Sequence, residues 1–180
     1  DNSAGFALKD NDIVSVFNTP KGKYNNVVPE FLLLAVEQGG NKLDAFDTVL
    51  PSLYSRAGFR VASRLEWDPN ESPPDWKEAD FEMFNGGKPD VVFMAYDPRP
   101  AKVLKAAPPK YDPNNIDRKR ELVTDYGVAV NRQDAAIKRG QAVASLTPET
   151  REEMRAGLMS LTTNQDLPDL STAGKRIKYL

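Results

Sequence analysis

Leu50-Pro51-Ser52-Leu53-Tyr54-Ser55-Arg56-Ala57-Gly58-Phe59 is the stretch that decides the fold. Asp47 or Thr48 can cap a helix over residues 50–57, and Gly58 supplies the residue that ends it. Phe59 then opens a strand. Val61, Ser63, Leu65 and Trp67 alternate with Arg60, Ala62, Arg64 and Glu66, which predicts a strand with one face buried. A helix that stops at Gly and turns straight into a strand is common punctuation in α/β chains. On its own, Tyr54 reads as a packed core aromatic.

The elements on either side extend this pattern. Residues 5–9 and 13–18 are short apolar runs joined by Asp10-Asn11-Asp12, and Asn and Asp tolerate turn geometry, so a β-hairpin is expected. A polar loop over 19–26 leads into an apolar helix over 27–38, with Pro29 tolerable in its first turn and Gly39-Gly40 as its stop. Residues 42–46 form a short strand. Residues 68–75 are Pro-rich and turn-like, and 76–84 form a short helix or irregular cover. Residues 90–96 are continuously apolar, as expected of a strand inside a sheet. The order over 5–97 is therefore strand, turn, strand, loop, helix, strand, helix, strand, strand.

Composition narrows the chemistry. The 180 residues contain 24 basic and 26 acidic side chains, no His and no Cys. Without Cys there are no disulfides, thiolate nucleophiles or Cys-based metal sites. Without His there is no Ser–His–Asp catalysis and no imidazole acid–base work. Carboxylates, Lys, Tyr, Ser/Thr, backbone amides or a bound cofactor remain. The near balance of charge argues against a general nucleic-acid surface. Lys102, Lys105, Lys110 and Arg118-Lys119-Arg120 are locally basic, but the Pro content there favours a solvated linker. The longest apolar run, residues 31–36, is far short of the roughly 20 residues of a membrane span. No signal peptide is visible. The first residue is Asp1, which suits a processed product, a trimmed chain or part of something longer.

The loop at 18–28 runs from a strand end into a helix N-terminus, where free amides and the positive dipole end suit phosphate. Lys21 and Lys23 flank Gly22 there. With this loop in place, Leu53-Tyr54-x-x-x-Gly58-Phe59 resembles the GNAT acyltransferase superfamily. Members of that family carry a helix ending in L-Y-x-x-x-G-F after a strand–loop–helix that holds coenzyme A. The resemblance covers residues 5–97, about half the chain. It implies a GNAT-like α/β (α+β) fold, a mixed twisted sheet with flanking helices. It also implies a strand over 13–18 whose backbone, at Val14, Val16 and Asn18, pairs with the pantetheine arm. Lys21, Gly22 and Lys23 would lie at the pyrophosphate, and Asp47 would stand where the family often places a pantetheine-contacting Asn. Tyr54 would be the acid that protonates the departing thiolate, a role suited to a phenol that is neutral at pH 7. The implied reaction is attack of an amine on acetyl-CoA.

The chain departs from the family in four places. The family loop reads Q/R-x-x-G-x-G/A, and here Thr19 and Tyr24 take its outer positions. Asp47 replaces the Asn. No Glu lies on 13–18 to act as base, and Asp10, Asp12 and Glu30 read as turn or capping carboxylates. Only residues 1–4 precede the hairpin, so the family's first strand and two helices are missing, supplied by another chain, or replaced by the C-terminal segment. A bare sheet edge is costly, so residues 98–180, a protein partner or a second chain should complete the sheet. D-A-F-D-x-x-L-P-x-L-Y ahead of Gly-Phe is similar to GNAT-like segments embedded in bacteriophage polypeptides. That likeness supports an alternative, a non-catalytic GNAT-derived structural or interaction module of a phage virion or host-targeting protein, and implies a cytoplasmic or virion-associated location. The expected organisation is a GNAT-like domain at 1–97, a Pro-rich linker at 98–115 and a partly helical extension at 116–180. That extension holds helices over 132–139 and from Thr147-Pro148 onward.

Overall fold

The two apolar runs around Asp10-Asn11 fold back on each other as strands β1 (Ala4–Lys9) and β2 (Asp12–Asn18). Asp10 takes the left-handed conformation, with φ 56°, that the tight reversal needs. Ala7 faces Ser15 while Leu8 faces Ile13, so Val14 is an extra residue and the strand carries a β-bulge. The computed structural model describes residues 4–18, 27–99 and 116–145 and, singly, Asp112, Asn114 and Glu149.

Helix α1 (Val28–Glu37) has Pro29 in its first turn and buries Leu32 and Ala35. Strand β3 (Lys42–Phe46) follows. Helix α2 (Leu50–Tyr54) tightens into a 3₁₀ turn at Ser55–Ala57. Gly58 ends it with φ 95°, and a Cβ there would lie 2.9 Å from the Tyr96 ring. Both the backbone sign and the packing therefore require glycine at this corner. Strands β4 (Phe59–Leu65) and β5 (Val91–Tyr96) form the next hairpin-like pair, and α3 (Ile116–Glu121), β6 (Leu122–Val123) and α4 (Tyr126–Ala144) complete the order.

The sheet is six-stranded and mixed, in the order β1-β2-β3-β5-β4-β6. β5 lies between β3 and β4 and pairs antiparallel with each over a long register. β2 and β3 run parallel and share a single residue pair, Asp12 with Lys42. Helices α1 and α2 pack on one face, over Ile13, Leu43, Phe59, Val92 and Met94.

Helix α4 covers the other face at β4 and β5. The Ser63 hydroxyl donates to the Ala129 carbonyl at 3.0 Å. Gln133 Nε2 donates to the Leu43 and Met94 carbonyls, each at 2.9 Å, and so bridges β3 and β5 from the helix. β4 is consequently buried on both faces, not on one as its alternation predicts. Phe59, Ser63 and Arg64 are all buried, and an irregularity between Val61 and Ser63 shifts the side-chain parity. The compact unit runs from Asp1 to Ala144, so residues 116–144 join the sheet instead of standing apart as an extension beyond 97. Charge-rich composition hides this, because α4 meets the sheet with widely spaced Ala129, Gln133, Ile137 and Gly140. The helix over 132–139 is longer than expected. In the second unit, 145–180, only Ser145 and Glu149 are described. The helix expected from Thr147 lies outside the described residues, as does most of the expected linker at 98–115.

Residues 68–90 fold over the ends of β3 and β4 as an aromatic cover. Trp76 stacks on Phe81 with ring centroids 4.2 Å apart and also meets Phe46 and Trp67. Trp76 Nε1 donates to the Gly87 carbonyl at 2.9 Å.

Candidate functional site

Among the described residues, β2 and β3 pair at Asp12–Lys42, and the sheet opens beyond that pair, where the rest of β2 has no backbone pairing on its β3 side. Unpaired strand backbone is an invitation to another extended chain. Val14, at the bulge, is 55% exposed on this arm, Val16 packs against the core, and Asn18 ends the strand. The loop carrying Lys21, Gly22 and Lys23 leads from Asn18 towards α1 and lies outside the described residues.

Tyr54 lies in the buried core below the sheet. Ile13 on one arm and Leu43 on the other share a buried cluster with Tyr54, Leu32 and Ala35. The Tyr54 ring is 8% exposed, and burial pushes its phenol pKa above the ordinary value. It is therefore held protonated at neutral pH, as a proton donor must be.

Asp47 is employed differently from the sequence expectation. It is 4% exposed, and its Oδ2 accepts a hydrogen bond from Arg118 and forms an ion pair with Arg64. Arg64 Nε also donates to Glu121 at 2.9 Å, and Arg118 reaches Asp90 at 3.4 Å. Three carboxylates and two guanidinium groups thus meet where β3, β4, α3 and the start of β5 converge. Burial raises the pKa values of Asp90 and Glu121, outweighing the attraction of the arginines. A cleft of 390 Å³ opens beside the cluster, between Trp67, Lys88, Arg118 and Lys119.

The vertex of the opening holds its own charges. Asp12 is half-buried, and its Oδ1 is enclosed without a hydrogen-bond partner, as is Asn41 Oδ1 on the adjacent strand end. Burial raises the Asp12 pKa first, and the Asp44 carboxylate raises it further. Lys42 and Lys9 pull the other way. Lys42 also pairs with Asp134 of α4 at 3.6 Å.

The structure thus places Tyr54 in the buried cluster with Ile13 and Leu43, packs Val16 against that cluster, leaves Val14 exposed on β2 and takes Asp47 into an ion cluster. Sequence reasoning missed Arg64, Arg118, Asp90 and Glu121 as a unit. Arg64 stands on the face that alternation marks as exposed, and its partners are 17 to 57 residues away in sequence. No local pattern signals such a cluster. Asp12, expected in the turn, is the first residue of β2. Among the described residues no group of carboxylates is arranged to hold a metal ion, and no helix is long and apolar enough to cross a membrane. No family model, no curated protein and no solved structure matches this chain.

Proposed function

We propose that the chain is a GNAT-type acyltransferase domain that moves an acetyl group from acetyl-CoA to an amine. The observation that carries this reading is the parallel pair β2 and β3, joined at Asp12–Lys42 and open beyond it. An extended pantetheine arm has amide groups able to pair with the free backbone edge of β2, beside the bulge at Val14. The cofactor's phosphates would then reach the loop at Lys21, Gly22 and Lys23, ahead of the α1 N-terminus. Tyr54 is the donor for the leaving thiolate. Its burial in the cluster shared by both arms supports that role, and its raised pKa keeps the proton available. The strand order and the helix that ends at Gly58 agree with the family resemblance.

A second reading, a non-catalytic GNAT-derived structural or interaction module of a phage protein, draws on Asp47. The residue at the family's pantetheine-contact position is committed to Arg64 and Arg118. Calorimetry with acetyl-CoA separates the two. Binding that is lost in Lys21→Ala/Lys23→Ala, with turnover at least tenfold lower in Tyr54→Phe at unchanged affinity, supports the acyltransferase. Absence of acetyl-CoA binding by the wild type rejects it in favour of the module.

A further inference from the structure

Seven of the ten residues of α1 are apolar, and its only charges are Glu30 and Glu37. A helix apolar all round is normally covered all round. Here Leu32 and Ala35 are buried, while Leu33 and Leu34 keep 45% and 44% of their surface in solvent. Val49, at the N-cap of α2, is 64% exposed, and α2 packs beside α1. Residues 30, 33, 34 and 37 fall on one stripe of a helix, and all four are exposed. The stripe is thus an apolar pair with a carboxylate one turn to either side.

Glu37 is a poor local choice. It ends the last turn, where the helix dipole disfavours a carboxylate, and that turn holds no basic residue. Among the described residues no ion pair engages Glu30 or Glu37, and Arg56, exposed in the 3₁₀ turn beside α1, pairs with neither. Exposed leucines and an acid set against the dipole are two local costs on one stripe, and such conflicts mark functional surface.

We propose that this stripe docks an amphipathic helix of a partner protein, one whose apolar side chains are flanked by Lys or Arg. The partner's apolar ridge covers Leu33 and Leu34, and a cation meets each glutamate. The charges select this occupant. Two copies of α1 would set glutamate against glutamate whether they ran parallel or antiparallel. An anionic lipid surface would repel both acids. The proposal stands whether or not the chain binds acetyl-CoA.

The test uses the full chain and two fluorescently labelled peptides of about 18 residues, long enough to form a helix. One carries a leucine stripe at helical spacing flanked by lysines, and its twin has glutamates in their place. By anisotropy the wild type should bind the lysine peptide saturably, and its twin about tenfold or more weakly. Leu33→Gln/Leu34→Gln should weaken the lysine peptide about tenfold or more. Its melting temperature should stay near that of the wild type, since both side chains are already half in water. Glu30→Lys/Glu37→Lys should reverse the preference between the peptides, which a loss of folding cannot do. Absence of saturable binding, equal binding of the two peptides, or lysine-peptide binding that survives Leu33→Gln/Leu34→Gln overturns the proposal. A concentration-dependent dimer in sedimentation that the leucine variant abolishes overturns it in favour of a second copy. Flotation with phosphatidylserine vesicles that the same variant abolishes overturns it in favour of a membrane.

Discussion

Asp47→Ala separates a structural carboxylate from a cofactor contact. In the native protein its Oδ2 serves both Arg64 and Arg118, whose side chains are 8% and 12% exposed. Removing one partner of a buried ion pair costs about 3–5 kcal/mol, because the remaining charge stays desolvated. Arg64 keeps Glu121 and Arg118 keeps Asp90, which places the expected loss at the lower end, about 3 kcal/mol. With a urea dependence of about 2 kcal/mol/M, the unfolding midpoint should fall by about 1.5 M. The melting temperature should fall by about 9 °C for a unit of this size. The assay is urea unfolding followed by tryptophan fluorescence. Trp67 accepts the strand's change directly, since its backbone N–H donates to Asp90 at 3.3 Å. A double variant, Asp47→Leu/Arg118→Met, should regain part of the loss, because the uncompensated charge at 118 is gone. A midpoint within about 0.3 M of wild type, with acetyl-CoA affinity lost instead, would refute the structural assignment and return Asp47 to the cofactor.

Two further outcomes follow from the same packing. Gln133→Leu removes both donors to the Leu43 and Met94 carbonyls; it should cost about 2–4 kcal/mol, and amide exchange should speed up in β3 and β5, whereas an unchanged unfolding midpoint would show that α4 contributes no bridge. For pH, Asp90 and Glu121 have folded values raised by burial. Between its unfolded and folded pKa such a group binds more protons when folded, so stability is fully present below the unfolded value and is lost as pH rises through the folded one. Asp90→Asn lacks that loss, so urea midpoints taken across the weakly acidic range should move in its favour relative to wild type as pH rises. The opposite trend would mean the arginines, not burial, govern Asp90.

The sequence alone determined the elements whose causes are local. Hydrophobic runs bounded by Asp10-Asn11, Gly39-Gly40 and Gly58 specify β1, β2, α1, β3, α2 and β4 in order, because turn chemistry and helix stops act within a few residues. The corner at Tyr54, Gly58 and Phe59 belongs to the same class. Gly58 needs both a positive φ and room for the Tyr96 ring, and only the first requirement is visible in sequence. The tertiary structure decided what depends on distant partners. Whether β4 buries one face or two was settled by α4, whose Ala129 and Gln133 arrive from far along the chain. Whether Asp47 meets a cofactor or a guanidinium was settled by Arg118, which lies 71 residues away. The opening between β2 and β3 is likewise a property of pairing, since two parallel strands diverge or close according to what the rest of the sheet imposes on them. Residue types set which chemistry this chain can perform, with no His and no Cys. Long-range burial and pairing set which of its carboxylates and phenols stand where that chemistry is proposed.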